Sequence, residues 1–285
     1  MTAQDSASPK PQLDNNTVRI ITGLIVIPLS LFITYLGGWA MLLVLVFVVF
    51  VGTLEFYHME KQRYQGANTV LGMVCGLLVL VGFFVQSSVL VWGSLLISAL
   101  ITFVVEYIRS RTLAQSAFRI LTTLGGVFYL AVPAGCLLVI RAIPNEGLWW
   151  VYSLYLATWG TDTVAYFVGR QFGKTLLAPK LSPKKTVEGA VGGVIAGILF
   201  PFLLLLLVGQ ASLSAVVLVV LSPFVAIWGD LFESALKRFF GLKDSGIRGL
   251  NLFPGHGGVL DRVDALVWVT GLFYVYLLLI GRVGF

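Results

Sequence analysis

Long apolar runs dominate this chain and leave it few ways to fold. A helix that crosses the hydrocarbon core of a bilayer needs roughly 20 apolar residues. Nine stretches meet that length within a few residues: 20–36, 39–57, 69–86, 89–107, 120–140, 149–168, 190–208, 212–231 and 265–280. Only 11% of the 285 residues are charged, against 58% hydrophobic, whereas an ordinary soluble domain carries about 25% charge. A water-soluble globule of this size could not clothe its surface with so few charges. The pattern predicts an all-α integral membrane protein of about nine transmembrane helices. Gly37 and Gly38 join the first two runs in a tight turn, and Trp39, Trp149 and Trp150 stand at proposed span ends, where interfacial aromatics belong.

The polar segments between the runs set an orientation. With a cytoplasmic N-terminus, 17 of the 19 Lys and Arg residues fall on the cytoplasmic side, leaving Arg141 and Arg282 on the far side. Miscounting one span would scramble this alternation, so it predicts nine spans with N-terminus inside and C-terminus outside. Residues 1–17 read as a flexible cytoplasmic tail and 18–285 as a single polytopic membrane domain. Two cytoplasmic loops, 169–189 and 232–264, are long and hold nearly all the polar chemistry. The net charge of +6 suits topology and anionic membrane lipids better than nucleic acid, because the basic residues lie in short loops. Cys75 and Cys136 sit inside apolar runs with no CxxC or Cys/His grouping, which supports neither a disulfide framework nor a zinc site.

Three constellations could carry chemistry. Asp162 is an ionisable residue midway along an apolar run, and such a carboxylate requires a partner or water. The loop after it contains Arg170, Gly173 and Lys174, then Ser182, Pro183, Lys184, Lys185, Thr186, Glu188 and Gly189. Pro183 bars a long helix there, Thr186 is a cap-like signal before the next apolar run, and cations beside a helix start suit a polyanion. The GxxxxGK[ST] pattern of a P-loop is absent. In the third constellation, Asp230, Ser234, Lys237 and Arg238 share one face if the eighth helix continues past Asp230. Asp261 and Asp264 are spaced i, i+3 at the start of the last helix, which favours acids and suits a hard cation. Aspartates beside several cations are what Mg²⁺-dependent nucleotide chemistry needs: carboxylates for the metal, cations for phosphate oxygens. Glu55, His58 and Glu60 straddle the end of the second span and Glu106 with Arg109 forms a helix-end pair; these carry less weight.

The third constellation resembles the signature of the phosphatidate cytidylyltransferases, or CDP-diacylglycerol synthases. The similarity runs through Ser234, Lys237, Arg238, Lys243, Asp244, His256, Gly257, Gly258, Asp261, Arg262 and Asp264, and upstream through Asp162, Thr163, Gly173, Lys174 and the 182–189 segment. It covers about residues 155–266. The resemblance implies transfer of CMP from CTP to phosphatidic acid, releasing pyrophosphate. It implies metal ligation by Asp230, Asp261 and Asp264, with Asp162 orienting a cation, and Mg²⁺ joined by a second, monovalent cation. Asp230, Ser234, Lys237, Arg238, Asp261, Arg262 and Asp264 are then the catalytic set. Ser182, Lys184, Lys185, Thr186, Lys243, Arg248, His256, Gly257 and Gly258 are the candidates for holding CTP. A homodimer, a bacterial inner membrane and an active site facing the cytoplasm complete the expectation. Two competing readings are a CTP-dependent polyprenol or phytol kinase, attacking the γ-phosphorus, and a transporter of anionic solutes built around Asp162. The gathering of polar residues at one membrane face favours an enzyme over the transporter.

Overall fold

The computed structural model describes residues 15–64, 66–109, 112–247 and 258–284, with side chains from residue 22 onward. Within them lie nine helices: α1 (Asn15–Leu36), α2 (Gly38–Lys61), α3 (Thr69–Phe84), α4 (Ser88–Arg109), α5 (Leu113–Ala142), α6 (Gly147–Phe172), α7 (Val187–Leu207), α8 (Leu213–Phe239) and α9 (Leu260–Leu279). Two short strands, β1 (Leu176–Ala178) and β2 (Ser182–Thr186), stand between α6 and α7. Each apolar run has become a helix, and several helices extend beyond their runs into the polar segments.

The ends follow local chemistry. Asn68, Thr112, Thr186 and Ser212 cap α3, α5, α7 and α8, each accepting the N–H three residues on. Between α1 and α2 the chain turns through positive φ at Gly37 (63°) and Gly38 (48°), a region that favours glycine. The Arg141 guanidinium, from the end of α5, donates to the Thr34 and Tyr35 carbonyls at 2.5 and 2.8 Å, satisfying acceptors that the end of α1 leaves open.

Six helices (α2, α4, α5, α7, α8 and α9) are long and apolar enough to cross a membrane. The described apolar part of α1 and all of α3 are shorter. The 16 residues of α3 extend about 24 Å at the helical rise. The 26 residues of α6 have the length, but Thr158, Thr161, Asp162 and Thr163 dilute their hydropathy. Large apolar side chains such as Leu24, Trp92, Ile108 and Leu213 cover the outer surface, the inverse of a soluble protein. The main core gathers Val79, Leu80, Ile140, Leu154, Leu218, Phe273 and their neighbours, and a smaller one joins Phe56, Tyr57, Met59, Leu130, Phe240 and Leu260.

Helices α6 and α7 pack along small residues. A Cβ at Gly189, Gly193 or Gly197 would stand 2.6 Å from the Ala165 carbonyl, 2.7 Å from the Thr161 carbonyl and 2.0 Å from Thr161 Oγ1, respectively. Glycine every fourth residue lets two backbones approach closely where lipid offers no hydrophobic drive for association. The β-hairpin amends the expectation of a plain loop at 169–189. Leu176 pairs with Thr186 and Ala178 with Ser182, antiparallel. Pro183, which bars a helix, is tolerated in a ribbon with no strand beyond it. Glu188, in the first turn of α7, accepts the backbone N–H groups of Lys174 and Thr175 at 3.1 and 3.2 Å, tying the hairpin to the helix.

Candidate active site

Helix α8 continues past Asp230 to Phe239, so Asp230, Ser234 and Lys237 do share a face. Gly229 allows α9 close: a Cβ there would lie 2.6 Å from Trp268 and 3.2 Å from the Asp264 carbonyl. Two linked groups of charges result.

The first contains Asp162 from α6, Asp230 from α8, Asp264 from α9 and Lys185 from β2. Lys185 makes an ion pair with Asp230. The three carboxylates lie within electrostatic reach of one another, and Lys185 and Arg262 oppose the charge of Asp162. Asp162 is exposed at the surface of α6. Aromatic rings line the α8–α9 contact beside this group: Trp228 and Phe232 meet Trp268 at centroid distances of 4.5 and 5.1 Å, and Tyr129 stands behind them.

The second group lies about one turn further along α8 and one turn back toward the start of α9. Lys237 pairs with Asp261 at 2.6 Å and with Glu233. Glu233 is fully buried. The other Asp261 oxygen accepts the N–H groups of Gly258 at 2.9 Å and Ser245 at 3.3 Å. Behind it, the buried carboxylate of Glu55 accepts from the N–H groups of Val259 and Leu260 at 2.9 and 2.8 Å and from the Ser245 hydroxyl at 3.3 Å.

The structure thus divides the aspartates that the sequence grouped together. Asp230 and Asp264 sit with Asp162, whereas Asp261 is held by Lys237 and backbone. Of the other candidates, Ser182 lies half-buried in β2, Lys184 is exposed beside Lys185, and Thr186 caps α7 through the Gly189 N–H at 3.2 Å. Arg238 turns outward to the Leu242 carbonyl at 2.8 Å, and Lys243 and Arg262 are exposed. Arg248, His256 and Gly257 lie outside the described residues. Three residues that the sequence left aside are drawn in: Glu55, Glu233 and Ser245. The Glu233–Lys237 spacing of i, i+4 is a legible sequence signal. Nothing local marks Glu55, whose partners are about two hundred residues away.

Among the described residues no three Asp, Glu, His or Cys side chains converge tightly enough to share one ion. Mg²⁺ does not require that, since it commonly takes one or two carboxylates and completes its shell with water and substrate phosphates. The donor chemistry fits such an ion: hard carboxylate oxygens from three helices stand near one another, and a lysine ammonium is already drawn onto one of them. Acids of the kind that suit a hard cation thus stand beside lysines and arginines of the kind that suit phosphate oxygens.

The profile of the cytidylyltransferase family matches residues 17–280. The phosphatidate cytidylyltransferase of Brucella abortus biovar 1 (strain 9-941) is 33% identical over 272 residues, covering 93% of this chain and 94% of the relative. That of Bacillus subtilis (strain 168) is 30% identical over 268 residues, covering 92% and 97%. The phosphatidate cytidylyltransferase of Thermotoga maritima is 36% identical over 126 residues, 42% of this chain and 45% of the relative. With residues 17–280 matched by the family profile and relatives aligned over more than nine-tenths of the chain, the chain belongs to the cytidylyltransferase family, alongside the bacterial phosphatidate cytidylyltransferases.

Proposed function

We infer that this chain is a CTP:phosphatidate cytidylyltransferase, transferring CMP from CTP to phosphatidic acid to give CDP-diacylglycerol and pyrophosphate for phospholipid synthesis. The observation that carries the reading is the convergence of Asp162, Lys185, Asp230 and Asp264, from four separate elements, with Lys185 paired to Asp230 and the three acids within electrostatic reach of one another. A phosphate oxygen of phosphatidic acid forms a bond to the α-phosphorus of CTP as the α–β bridging bond breaks. The nucleophile is already an anion, so the protein has no strong base to supply. Its work is positioning and charge neutralisation.

Asp230 and Asp264, with Asp162 beside them and Asp261 one turn away, are the residues that would hold Mg²⁺. When bound, the ion neutralises phosphate oxygens and orients the leaving pyrophosphate. Lys184 and Lys185 on the hairpin, with Ser182 and Thr186, face the nucleotide's phosphates; Arg238, Lys243, Arg248 and Arg262 supply further positive charge. His256, Gly257 and Gly258 complete the nucleotide side, and Ser234 stands between the two charged groups. Lys237 balances two carboxylates in the ligand-free protein and so fixes Asp261 before substrate arrives.

In this reading the chain lies in a bacterial inner membrane as one domain, 18–285, behind a tail of 1–17. All nine helices cross or enter the bilayer, with the N-terminus and active site cytoplasmic and the C-terminus outside. That orientation puts the site where CTP is, and basic loops at that surface attract an anionic lipid. A second, monovalent cation and a homodimer belong to the same reading.

The test is product analysis with purified protein, phosphatidic acid in mixed micelles and CTP labelled at the α-phosphate. Label entering lipid with matching pyrophosphate release is the expected result. Label remaining in water-soluble CDP would replace this reading with lipid kinase chemistry, and unconsumed CTP would overturn both.

A further inference from the structure

The segment that carries Asp261 and Asp264 needs an anchor. Residues 245 and 258–260 flank a stretch of the chain, and one buried side chain from the N-terminal half reaches both flanks. Glu55, near the end of α2, is 2% exposed. Its Oε1 accepts from the Val259 N–H at 2.9 Å; its Oε2 accepts from the Leu260 N–H at 2.8 Å and the Ser245 hydroxyl at 3.3 Å. Val259 and Leu260 form the start of α9, whose first N–H groups have no partner within the helix. No side chain of α9's own capping residue fills that role. An acid from another helix fills it instead, where the helix dipole favours negative charge.

Asp261 works from the opposite side of the same closure. It accepts from Ser245 N and Gly258 N, so Ser245 is held by both carboxylates, through its hydroxyl by Glu55 and its N–H by Asp261. The fit is tight at Gly258: a Cβ would stand 2.2 Å from Ser245 Oγ and 2.4 Å from Glu55 Oε2. A shift of Glu55 therefore propagates to the backbone that orients Asp261 and, one turn on, Asp264.

We propose that Glu55 is a positioning residue for the transfer reaction, clamping both flanks of the 245–260 segment so that Asp261 and Asp264 are fixed for metal and nucleotide. The inference rests on the proposed function, in which those aspartates act. Glu60 supplies a control. It is also buried near the end of α2 and its carboxylate also accepts two backbone N–H groups, of Gly66 and Ala67 at 2.8 and 3.0 Å. Neither of those partners belongs to α8, α9 or the charged groups between them.

Glu55→Gln presents an amide N–H₂ where a carboxylate oxygen met donors. Displacement of reacting groups by about 1 Å costs on the order of 10²-fold in rate, and a loss of ~10- to 100-fold in kcat is expected. The Mg²⁺ concentration giving half-maximal activity should rise, and the Val259 and Leu260 amides should exchange hydrogen faster in the ligand-free protein. Glu60→Gln should leave kcat and the Mg²⁺ profile unchanged, even if it lowers thermal stability equally. A Glu55→Gln protein with parental kcat, Mg²⁺ profile and amide exchange would overturn the proposal. So would a Mg²⁺ profile shifted as far by Glu60→Gln. If Glu55→Gln does not accumulate, Ser245→Ala removes one of the three donors and should show the same changes on a smaller scale; parental behaviour there would overturn the proposal. Asp261→Asn separates the levels: near-normal turnover in that variant refutes the assigned role of Asp261, whatever Glu55 does.

Discussion

Lys237 is the point where stability and chemistry can be separated. Its ammonium meets Asp261 at 2.6 Å and also pairs with Glu233, with side-chain exposures of 12%, 10% and 0% for the lysine and the two acids. Apart from that ion pair, the Glu233 carboxylate has no hydrogen-bond partner among the described residues. Lys237→Met keeps the length of the side chain and removes its charge, so two carboxylates, one of them wholly buried, face each other without a cation. Breaking a buried pair from one side costs about 3–5 kcal/mol. Glu233→Gln combined with Lys237→Met removes the buried charge and should recover roughly half or more of that loss, because the penalty comes from the stranded charge rather than the missing attraction. The assay is equilibrium unfolding in mixed micelles with an SDS titration, read by tryptophan fluorescence, with cytidylyl transfer measured on the same samples. The single variant should be strongly destabilised; the double variant should regain roughly half or more of that loss while remaining impaired in transfer, since Asp261 has lost its clamp. Parental stability in Lys237→Met would refute the reasoning, as would an equal loss in both variants.

Other consequences follow from the site and the helix seams. Gly197→Ala places a methyl 2.0 Å from Thr161 Oγ1 and 2.8 Å from Pro223, so overpacking should cost ~1–3 kcal/mol, measurable in the same unfolding assay. Asp162→Asn keeps the side chain's shape but removes one of three mutually repelling acids; it should lower activity at limiting Mg²⁺ with little loss of stability, checked by a Mg²⁺ titration at saturating CTP. Chelation of divalent cations should abolish transfer and added Mg²⁺ should restore it, read as label entering lipid. Thr186→Ala removes the α7 cap and should cost about 1 kcal/mol, with a loosened hairpin visible as faster backbone exchange at residues 174–186.

Much of this architecture was legible because apolar runs of membrane length have few alternatives to a helix. The Gly37–Gly38 turn, the Thr186 cap and the shared face of Asp230, Ser234 and Lys237 were readable for the same reason: each rests on interactions within one turn of chain. What escaped rests on distant pairing. The β1–β2 hairpin contains a proline and three lysines or threonines in a five-residue strand, a composition with weak strand signal; it is held by Glu188 and by pairing. The split of Asp261 from Asp230 and Asp264 depends on how α8 crosses α9 at Gly229, which no spacing encodes. Glu233 was overlooked because Asp230, Ser234 and Lys237 already satisfied a helical face, yet it is wholly buried and pairs with Lys237.

The division between the two charged groups bears on how such a site can be open to two unlike substrates. Asp162, Asp230 and Asp264 gather negative charge with Lys185 as a resident counter-ion. A lysine on a two-stranded hairpin is an exchangeable cation: its backbone support is slight and its stem flexible. Asp261, by contrast, is bound to Lys237 and two backbone N–H groups, with Glu233 and Glu55 buried behind. One group is therefore built to rearrange and the other to stay fixed. If arriving Mg²⁺ and CTP displace Lys185 from Asp230, its ammonium is released toward the phosphates at the step that brings in their charge. Lys185→Met should then weaken nucleotide binding while making Asp230 more available to the metal. The expected signature is a raised KM for CTP with an unchanged or lowered Mg²⁺ requirement, the opposite of what loss of any of the aspartates would give. A raised Mg²⁺ requirement in Lys185→Met would show that the lysine supports the acids rather than exchanging with the ion.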